Sequence, residues 1–390
     1  MQDGTGKQVV ILGAGPAGLT AGYELMRHDV PVTVLEKDPH RVGGISRTEE
    51  YRGYRFDIGG HRFFSKSQEV EDLWTEILGD ELITRGRLSR IYYKGKYFDY
   101  PLKATNALLN MGPVETVRCM ASYAWARIHP IKNPQNLEDW VRNQFGHRLF
   151  SIFFKTYTEK VWGISTKELS ADWAAQRIKG LDLGQAIKSA LLPRRKKGRD
   201  AVIKTLIDQF RYPRFGPGQM WEYTRQRLTA RGNTVALGQE VVTIRQTPDL
   251  GVTSVLVRDV ASGALREVTG THFISTLPIR ELVDHCEPPL PASVRAAADA
   301  LKYRDFLTIA VVINRENLFP DNWIYIHDPS VQVGRMQNFK VWSPEMVPDP
   351  KTTCLGLEYF CFEGDGLWES PDAVLVELAR AELAKLGMCK

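Results

Sequence analysis

The chain has 390 residues, 43% of them hydrophobic and 25% charged, with a formal net charge of +5. That length is too great for one small core and calls for two domains, or for one large domain carrying an insertion. The mild basic excess does not argue for nucleic acid; it suits an anionic cofactor or substrate, or loose contact with an anionic membrane. Five widely spaced cysteines (Cys119, Cys286, Cys354, Cys361 and Cys389) form no CxxC pair, so neither a metal site nor a redox motif is expected. A reducing cytoplasm fits that usage. The polar start, Met1 to Gln8, does not read as a signal peptide. No apolar run approaches the ~18 residues of a spanning helix.

In chain order, Val9-Val10-Ile11-Leu12 reads as a buried parallel strand running into Gly13-Ala14-Gly15-Pro16-Ala17-Gly18. A helix follows, and then a second strand, Val32-Thr33-Val34-Leu35-Glu36. This is β-α-β within about 30 residues, the context that makes a glycine fingerprint meaningful. Gly13 permits the tight turn, Gly15 lets the backbone approach a pyrophosphate, and Gly18 allows close packing of helix on strand. Pro16 and Ala17 belong to the loop, and the N-terminus of the helix that follows offers free N–H groups and a partial positive charge to the phosphates. Glu36, with Lys37 beside it, can accept hydrogen bonds from ribose hydroxyls, and its charge would repel a 2′-phosphate.

Beyond the second strand come Gly43-Gly44-Ile45-Ser46-Arg47-Thr48 and Phe56-Asp57-Ile58-Gly59-Gly60-His61. From Ser67 to about Pro130 the pattern is helical, with a hairpin from Ile91 to Phe98 turning at Lys94-Gly95. Leu137 to Leu192 reads as helical, and Gln219 to Arg231 as another helix. Strands are expected within 241–257 and 268–277 and across 305–314 and 354–362, with a helix from Pro371 to Leu386. The basic run Arg194 to Arg199 reads as a solvated loop; the sharper alternative is contact with an anionic membrane or a lipid-linked sugar.

The GG-x-x-R-[ST] segment at Gly43–Thr48, following Glu36, resembles the flavoprotein family of amine oxidases, protoporphyrinogen oxidases and UDP-galactopyranose mutases. The resemblance implies FAD as cofactor. It gives Arg47, with Thr48 next to it, the pyrophosphate, and brings Gly59, Gly60 and His61 beside the flavin ring, His61 being the candidate catalytic residue. Phe215-Gly216-Pro217-Gly218 before a helix, then Val241-Val242-Thr243, looks like the family's return into the nucleotide domain, with the Val242 backbone on the adenine edge. Phe273 to Pro278, including Thr276, resembles its last nucleotide-domain strand. The implied fold is α/β: a Rossmann-like (GR2-type) FAD-binding domain in two parts, 1–66 and 211–285, a largely helical insertion at 67–210, and a mixed-sheet substrate domain at 286–390.

Phe153 to Gly163 closely resembles the Y-T-x-K-x-W-G stretch of UDP-galactopyranose mutases. The resemblance assigns Tyr157 and Trp162 to a nucleotide-sugar site and Arg177 to the substrate diphosphate. Gly334 to Phe339, with Arg335 and Asn338, loosely resembles a second mutase arginine segment. Phe150, Phe153, Phe154, Tyr157 and Val161 also fall at helical spacing, which a buried face alone would explain. In the mutases the reduced flavin acts through N5 as a nucleophile at the sugar's anomeric carbon, and arginines neutralise the departing diphosphate. The rival readings are an oxidoreductase passing hydride to FAD and a flavin-binding protein without catalysis. Expected partners are a small-molecule substrate and a second copy of the chain, without nucleic acid or stable membrane insertion. The families resembled carry a further C-terminal segment against the FAD diphosphate, and no comparable glycine turn follows residue 366, so the chain is expected to be a piece of a longer one.

Overall fold

The computed structural model describes residues 6–102, 104–177, 208–247, 249 and 251–389. The chain forms two units, Met1–Thr84 with Arg211–Tyr303, and Arg85–Phe210 with Arg304–Lys390. The divisions expected at 66 and 285 therefore move. The Gln68–Leu78 helix stays with the first unit because its Leu73, Trp74, Ile77 and Leu78 belong to that unit's core. Its N-terminus is capped by Ser67, whose Oγ accepts from Val70 N–H, and Glu69 and Glu71 favour its positive end. The segment expected as a separate C-terminal domain joins the insertion in a single second unit.

The first unit has a parallel sheet ordered His272–Ser275, Val9–Leu12, Val32–Leu35, Thr234–Ala236. Val9–Leu12 is one of the two inner strands, and all four of its residues are buried. Val9 and Ile11 pack against Leu19 and Tyr23 of the Pro16–Arg27 helix and Met220, Trp221 and Leu228 of the Gly218–Ala230 helix. Val10 and Leu12 point the other way, onto Val241, Ile244, Val255, Val257 and Val268. Those residues come from a second sheet ordered Leu265–Thr269, Gly251–Asp259, Gln239–Thr247, Cys286–Glu287. A strand covered on both faces needs a continuous apolar run, which is why VVIL shows no alternation. Each such side chain contributes about 1.5–3 kcal/mol on burial.

The second unit carries a sheet ordered Asp305–Ile313, Thr353–Cys361, Arg335–Asn338, Trp323–Ile326, Ser89–Tyr93, Lys96–Asp99. Its pairs are antiparallel except Trp323–Ile326 with Ser89–Tyr93, where the insertion's hairpin joins the C-terminal strands. The insertion is thus not only helical. Alternation sorts the hairpin: Ile91 and Phe98 face the helical layer of Leu137, Val141, Phe145 and Phe150, while Tyr92 faces Ala379 and Leu383 of the Asp372–Lys385 helix.

The helical reading of 137–192 holds through Arg177 except across 163–170, which form turns, bends and an isolated bridge, and the helices carry two irregularities. Gly146 sits at φ +78 inside Leu137–Leu149, and a Cβ there would lie 2.7 Å from the backbone of Ser122 and Tyr123. Only glycine lets the Pro113–Ile128 helix approach so closely. Phe150–Lys155 then forms a π-helical turn immediately before Thr156–Trp162. Residues 178–192 and the basic run at 194–199 lie outside the described residues.

Candidate functional site

The glycine loop is built around one tight contact. A Cβ at Gly18 would lie 2.0 Å from the Gly13 carbonyl oxygen, and one at Gly13, where φ is +100, would lie 2.5 Å from Thr276 Oγ1. Thr276 closes the turn by donating from N–H and from Oγ1 to the Leu12 carbonyl, at 2.9 and 2.8 Å. Gly15 differs: nothing lies within 4 Å of its added Cβ, so the space above it is open. The Pro16–Arg27 helix starts there, with Pro16 in its first turn and neither a side-chain cap nor an acidic residue. Its Ala17 and Gly18 N–H groups and the helix dipole remain for an anion.

Glu36 is already oriented. Its Oε2 accepts from Ala14 N–H at 2.8 Å and its Oε1 from Asp38 N–H at 2.9 Å, and its own N–H donates to Ala236. A carboxylate offers about four lone-pair directions, so two stay open to diol hydroxyls. Exposed Lys37 follows it. Gly43 donates to the Ala14 carbonyl at 2.8 Å, and a Cβ on Gly44 would lie 3.5 Å from Gly15 Cα, so the GG turn walls the same opening. Between Val241 and Thr243 the strand pairing slips by one residue, and Val242 is the bulged extra residue. A bulge frees its backbone groups for a ligand edge.

Arg47 and Thr48 are more occupied than the sequence suggests. Arg47 Nη1 lies 3.0 Å from Asp38 Oδ2 and its Nε 2.5 Å from Glu49 Oε1. Burial works against the Asp38 carboxylate, yet the His40 and Arg41 amides and Arg47 hold it below the usual range. Arg47 borders a cavity of about 560 Å³ with Arg41, Arg55, Glu222 and Arg225, and reaching a diphosphate would require it to exchange a carboxylate partner. Thr48 Oγ1 donates to Asp57 Oδ1 at 3.1 Å and accepts from Gly218 N–H at 3.0 Å. Asp57 is fully buried and bonded to the Tyr212 hydroxyl, and burial pushes its pKa up to about 7 against both hydroxyl hydrogen bonds. This Asp57–Thr48–Tyr212 knot holds the Thr48–Asp57 hairpin on the Gly216–Gly218 turn. The sequence reading missed it; its signals were the acid just before Ile58-Gly59-Gly60 and the paired glycines at 216 and 218. Gly59 follows at φ +94, and His61 Nε2 lies 2.7 Å from the Ile58 carbonyl. A carbonyl only accepts, so Nε2 bears the proton.

In the second unit the Thr156–Trp162 helix presents both predicted aromatics. Tyr157 stacks flat on His327, with centroids 4.6 Å apart and planes at 6°, and meets the Tyr325 ring edge-on at 5.5 Å. Burial raises the Tyr157 hydroxyl pKa, opposed by the Arg335 charge, so it stays neutral. His327 is buried, and burial together with Lys160 lowers its pKa to about 3, so the imidazole is neutral. Lys160 Nζ donates to the Asp328 carbonyl at 2.6 Å and to those of Ile326 and Val333 at 3.3 Å; burial lowers it to about 8.

Arg335 directs Nε and Nη2 at Glu358 Oε2, at 2.7 and 2.6 Å, and Gln337 donates to Glu358 Oε1 at 2.5 Å. Glu358 is fully buried, whereas the Arg335 side chain is 25% exposed. The Arg335 charge acts on the Tyr157 hydroxyl, and Asn338 lies apart from both. Arg335 and Gln337 share the Glu358 face of their strand, and Asn338 lies on the other face, where its Nδ2 donates to the Phe319 carbonyl at 3.0 Å. Trp162 packs edge-on against Trp173 at 5.3 Å, and Arg177 ends the Ala171–Arg177 helix; its side chain lies outside the described residues.

Arg304 is a further residue the sequence reading missed. It donates to the Phe360 carbonyl at 2.8 Å and to Val161 at 3.3 Å, beneath Gly163, where φ is +65 and a Cβ would touch its guanidinium. It thus serves the C-terminal carbonyls of the Thr156–Trp162 helix. Among the described residues no group of His, Cys, Asp and Glu could hold a metal ion.

These two constructions fit a dinucleotide-dependent enzyme, and the comparisons define its class. The flavin-containing amine oxidoreductase family matches residues 16–388, and the chain belongs to that family. The cofactor is FAD, for which the open space at Gly15 and the held Glu36 carboxylate are suited. The chain is 26% identical over 172 residues to dTDP-fucopyranose mutase of Escherichia coli, across 42% of this chain and 44% of that one. It is 25% identical over 175 residues to "Probable UDP-galactopyranose mutase" of Klebsiella pneumoniae, across 42% and 43%. The matched stretch thus spans less than half the length of these curated relatives. In structure the chain resembles reduced UDP-galactopyranose mutase, with a TM-score of 0.81, 22% identity, and coverage of 98% of this chain and 80% of that one. At that identity the likeness speaks for the fold.

Proposed function

We propose that the protein is a UDP-galactopyranose mutase-like flavoenzyme that acts on a nucleotide sugar, in the cytoplasm, for cell-surface polysaccharide biosynthesis. The observation that carries this reading is Arg335, fixed by buried Glu358 and within electrostatic reach of Tyr157. An oxidase passing hydride from an apolar substrate has no use for a guanidinium held at its aromatic wall. A diphosphate does, because arginine recognises its oxygens through charge-assisted hydrogen bonds.

Reduced FAD supplies a nucleophilic N5 in this chemistry. Gly13, Gly15, Pro16, Ala17 and Gly18 receive its pyrophosphate; Glu36, beside Lys37, takes the ribose; and the Val242 backbone takes the adenine. Gly43, Gly44, Arg47 and Thr48 close the phosphate side, and Thr276 holds the loop. Gly59, Gly60 and His61 are assigned to the flavin edge, with His61 kept in one tautomer by Ile58. Tyr157 and Trp162 pack the nucleotide sugar, and Arg177 and Arg335 stabilise the diphosphate as charge develops on it. Asn338, on the opposite strand face, supports Phe319 and stays outside this assignment.

The test is to reduce the FAD-loaded protein and incubate it with UDP- and dTDP-linked hexoses. A furanose product on chromatography, formed only by the reduced protein, is expected. Dioxygen consumption with an amine substrate, and no sugar product, would overturn the reading in favour of an oxidoreductase.

A further inference from the structure

The Pro113–Ile128 helix turns an apolar stripe outward. Val114, Val117, Trp125 and Ile128 are 65%, 67%, 66% and 71% exposed, and Met120 is 38% exposed. At about 100° per residue these five fall within an arc of about 140°, and the residues that share it, Pro113, Ala121 and Ala124, are exposed and carry no charge. The opposite side is the inward one: Cys119 is buried among Leu137, Val141 and Phe145, and Gly146 seats the neighbouring helix against Ser122 and Tyr123. The stripe is therefore a second apolar face, left over after the helix has packed.

The charges beside the stripe are one-sided. Arg118 lies at one edge of the arc, 64% exposed and in a long 3.7 Å pairing with Glu115, and exposed Arg127 lies at the other. The helix's carboxylate, Glu115, is turned off the stripe and bonded to Arg148. Lys94 and Lys96 line a cavity of about 240 Å³ beside the Arg148–Glu115 pair, adding cations next to the same helix. Lys132 is exposed just past its C-terminus.

We infer that this face of the Pro113–Ile128 helix is a docking surface for the interface of an anionic lipid bilayer. An apolar stripe centred on valine and isoleucine, with a tryptophan and flanking arginines, is the arrangement by which a helix lies in the headgroup region without spanning it. Acidic headgroups complement Arg118 and Arg127, and the Trp125 ring suits the depth between headgroup and acyl chain. A second copy of the chain is the poorer occupant, because an isologous pairing would set rims of arginine facing each other with no exposed carboxylate on the helix to meet them. No helix among the described residues is long and apolar enough to cross a membrane, so the contact is peripheral.

The experiment is flotation of the full FAD-loaded chain with vesicles of equal parts phosphatidylcholine and phosphatidylglycerol, and with vesicles of phosphatidylcholine alone. Binding to the anionic vesicles that salt weakens is expected. Val117→Glu/Ile128→Glu should lower it roughly tenfold or more, because buried apolar area drives insertion. Both positions are exposed, so flavin content and melting temperature should stay unchanged and show that the variant is folded. Arg118→Gln/Arg127→Gln should retain the apolar contribution and reduce the salt dependence. Failure of the unaltered chain to float with anionic vesicles would overturn the inference, as would equal flotation of the glutamate variant. Sedimentation showing a dimer that the glutamate variant splits, without vesicle binding, would assign the face to a second copy instead.

Discussion

The glycine loop of the first unit and the aromatic–arginine cluster of the second are built on different scales of sequence. The loop is local: Gly13, Gly15, Gly18, Glu36 and Gly44 lie within 32 positions and make their own contacts. The cluster is assembled: Tyr157, His327, Arg335 and Glu358 come from a helix and three later stretches of chain, and the sheet register alone sets Arg335 opposite Glu358. A local site survives as a readable motif, whereas an assembled one depends on every strand that carries it.

The sharpest way to break the comparison lies inside the loop. Gly18→Val should cost at least about 3 kcal/mol of stability and abolish FAD binding, because its Cβ meets the Gly13 carbonyl and neither backbone can yield. Gly15→Val should abolish FAD binding with little change in melting temperature, because its Cβ enters open space. Calorimetric melting and flavin absorbance on both variants check the contrast. If Gly15→Val keeps its flavin, the pyrophosphate does not pass there.

In the cluster, Arg335→Ala leaves Glu358 buried without its cation. We expect a loss of about 2–3 kcal/mol in denaturant unfolding, below the 3–5 kcal/mol of a fully buried pair because Arg335 is partly exposed. Arg335→Ala/Glu358→Gln should recover much of that loss. Arg177→Ala should keep flavin content and weaken nucleotide-sugar binding by roughly 1.5–3 kcal/mol, the scale of a charge-assisted hydrogen bond. Isothermal titration measures this, and unchanged affinity with lost flavin would contradict the assignment.

A further expected effect is a change of pH slope. Asp57 is raised from 3.8 to about 7, so between those values the folded state holds a proton that the unfolded state has lost. Its contribution to stability is full below about pH 4 and disappears as pH rises through about 7. His327, lowered to about 3, acts in the opposite sense between pH 3 and 6.5, so the comparison must be with a variant. Asp57→Asn should remove the Asp57 component, so that the difference in unfolding free energy from the unaltered chain changes with pH between about 4 and 7; a difference that is the same at every pH in that range would mean that Asp57 is ionised throughout.

These contrasts track what was legible. The first two strands, their helix, the Lys94–Gly95 hairpin and the Asp305–Ile313 and Thr353–Cys361 strands follow directly from apolar runs and turn residues. The helical reading of the insertion overlooked Gly146, which answers to the neighbouring Pro113–Ile128 helix rather than to local periodicity, and the π-helical turn, whose residues keep helical spacing. Asp57 was passed over because burial, not residue type, makes it unusual. Arg335 and Asn338 were read as one segment, yet a strand's period of two sends residues three apart to opposite faces. That Ser89–Tyr93 pairs with Trp323–Ile326 is a contact between residues more than 200 positions apart that no window of sequence contains.

The most direct test of the account is a pair of titrations, of FAD and of UDP, on three proteins: the unaltered chain, Gly15→Val and Arg335→Lys. The account predicts that Gly15→Val loses FAD, and that Arg335→Lys keeps its flavin spectrum and binds UDP more weakly, because lysine cannot reproduce the guanidinium fork. An unaltered chain that binds FAD but not UDP, or an Arg335→Lys variant that loses FAD and binds UDP as before, would contradict it.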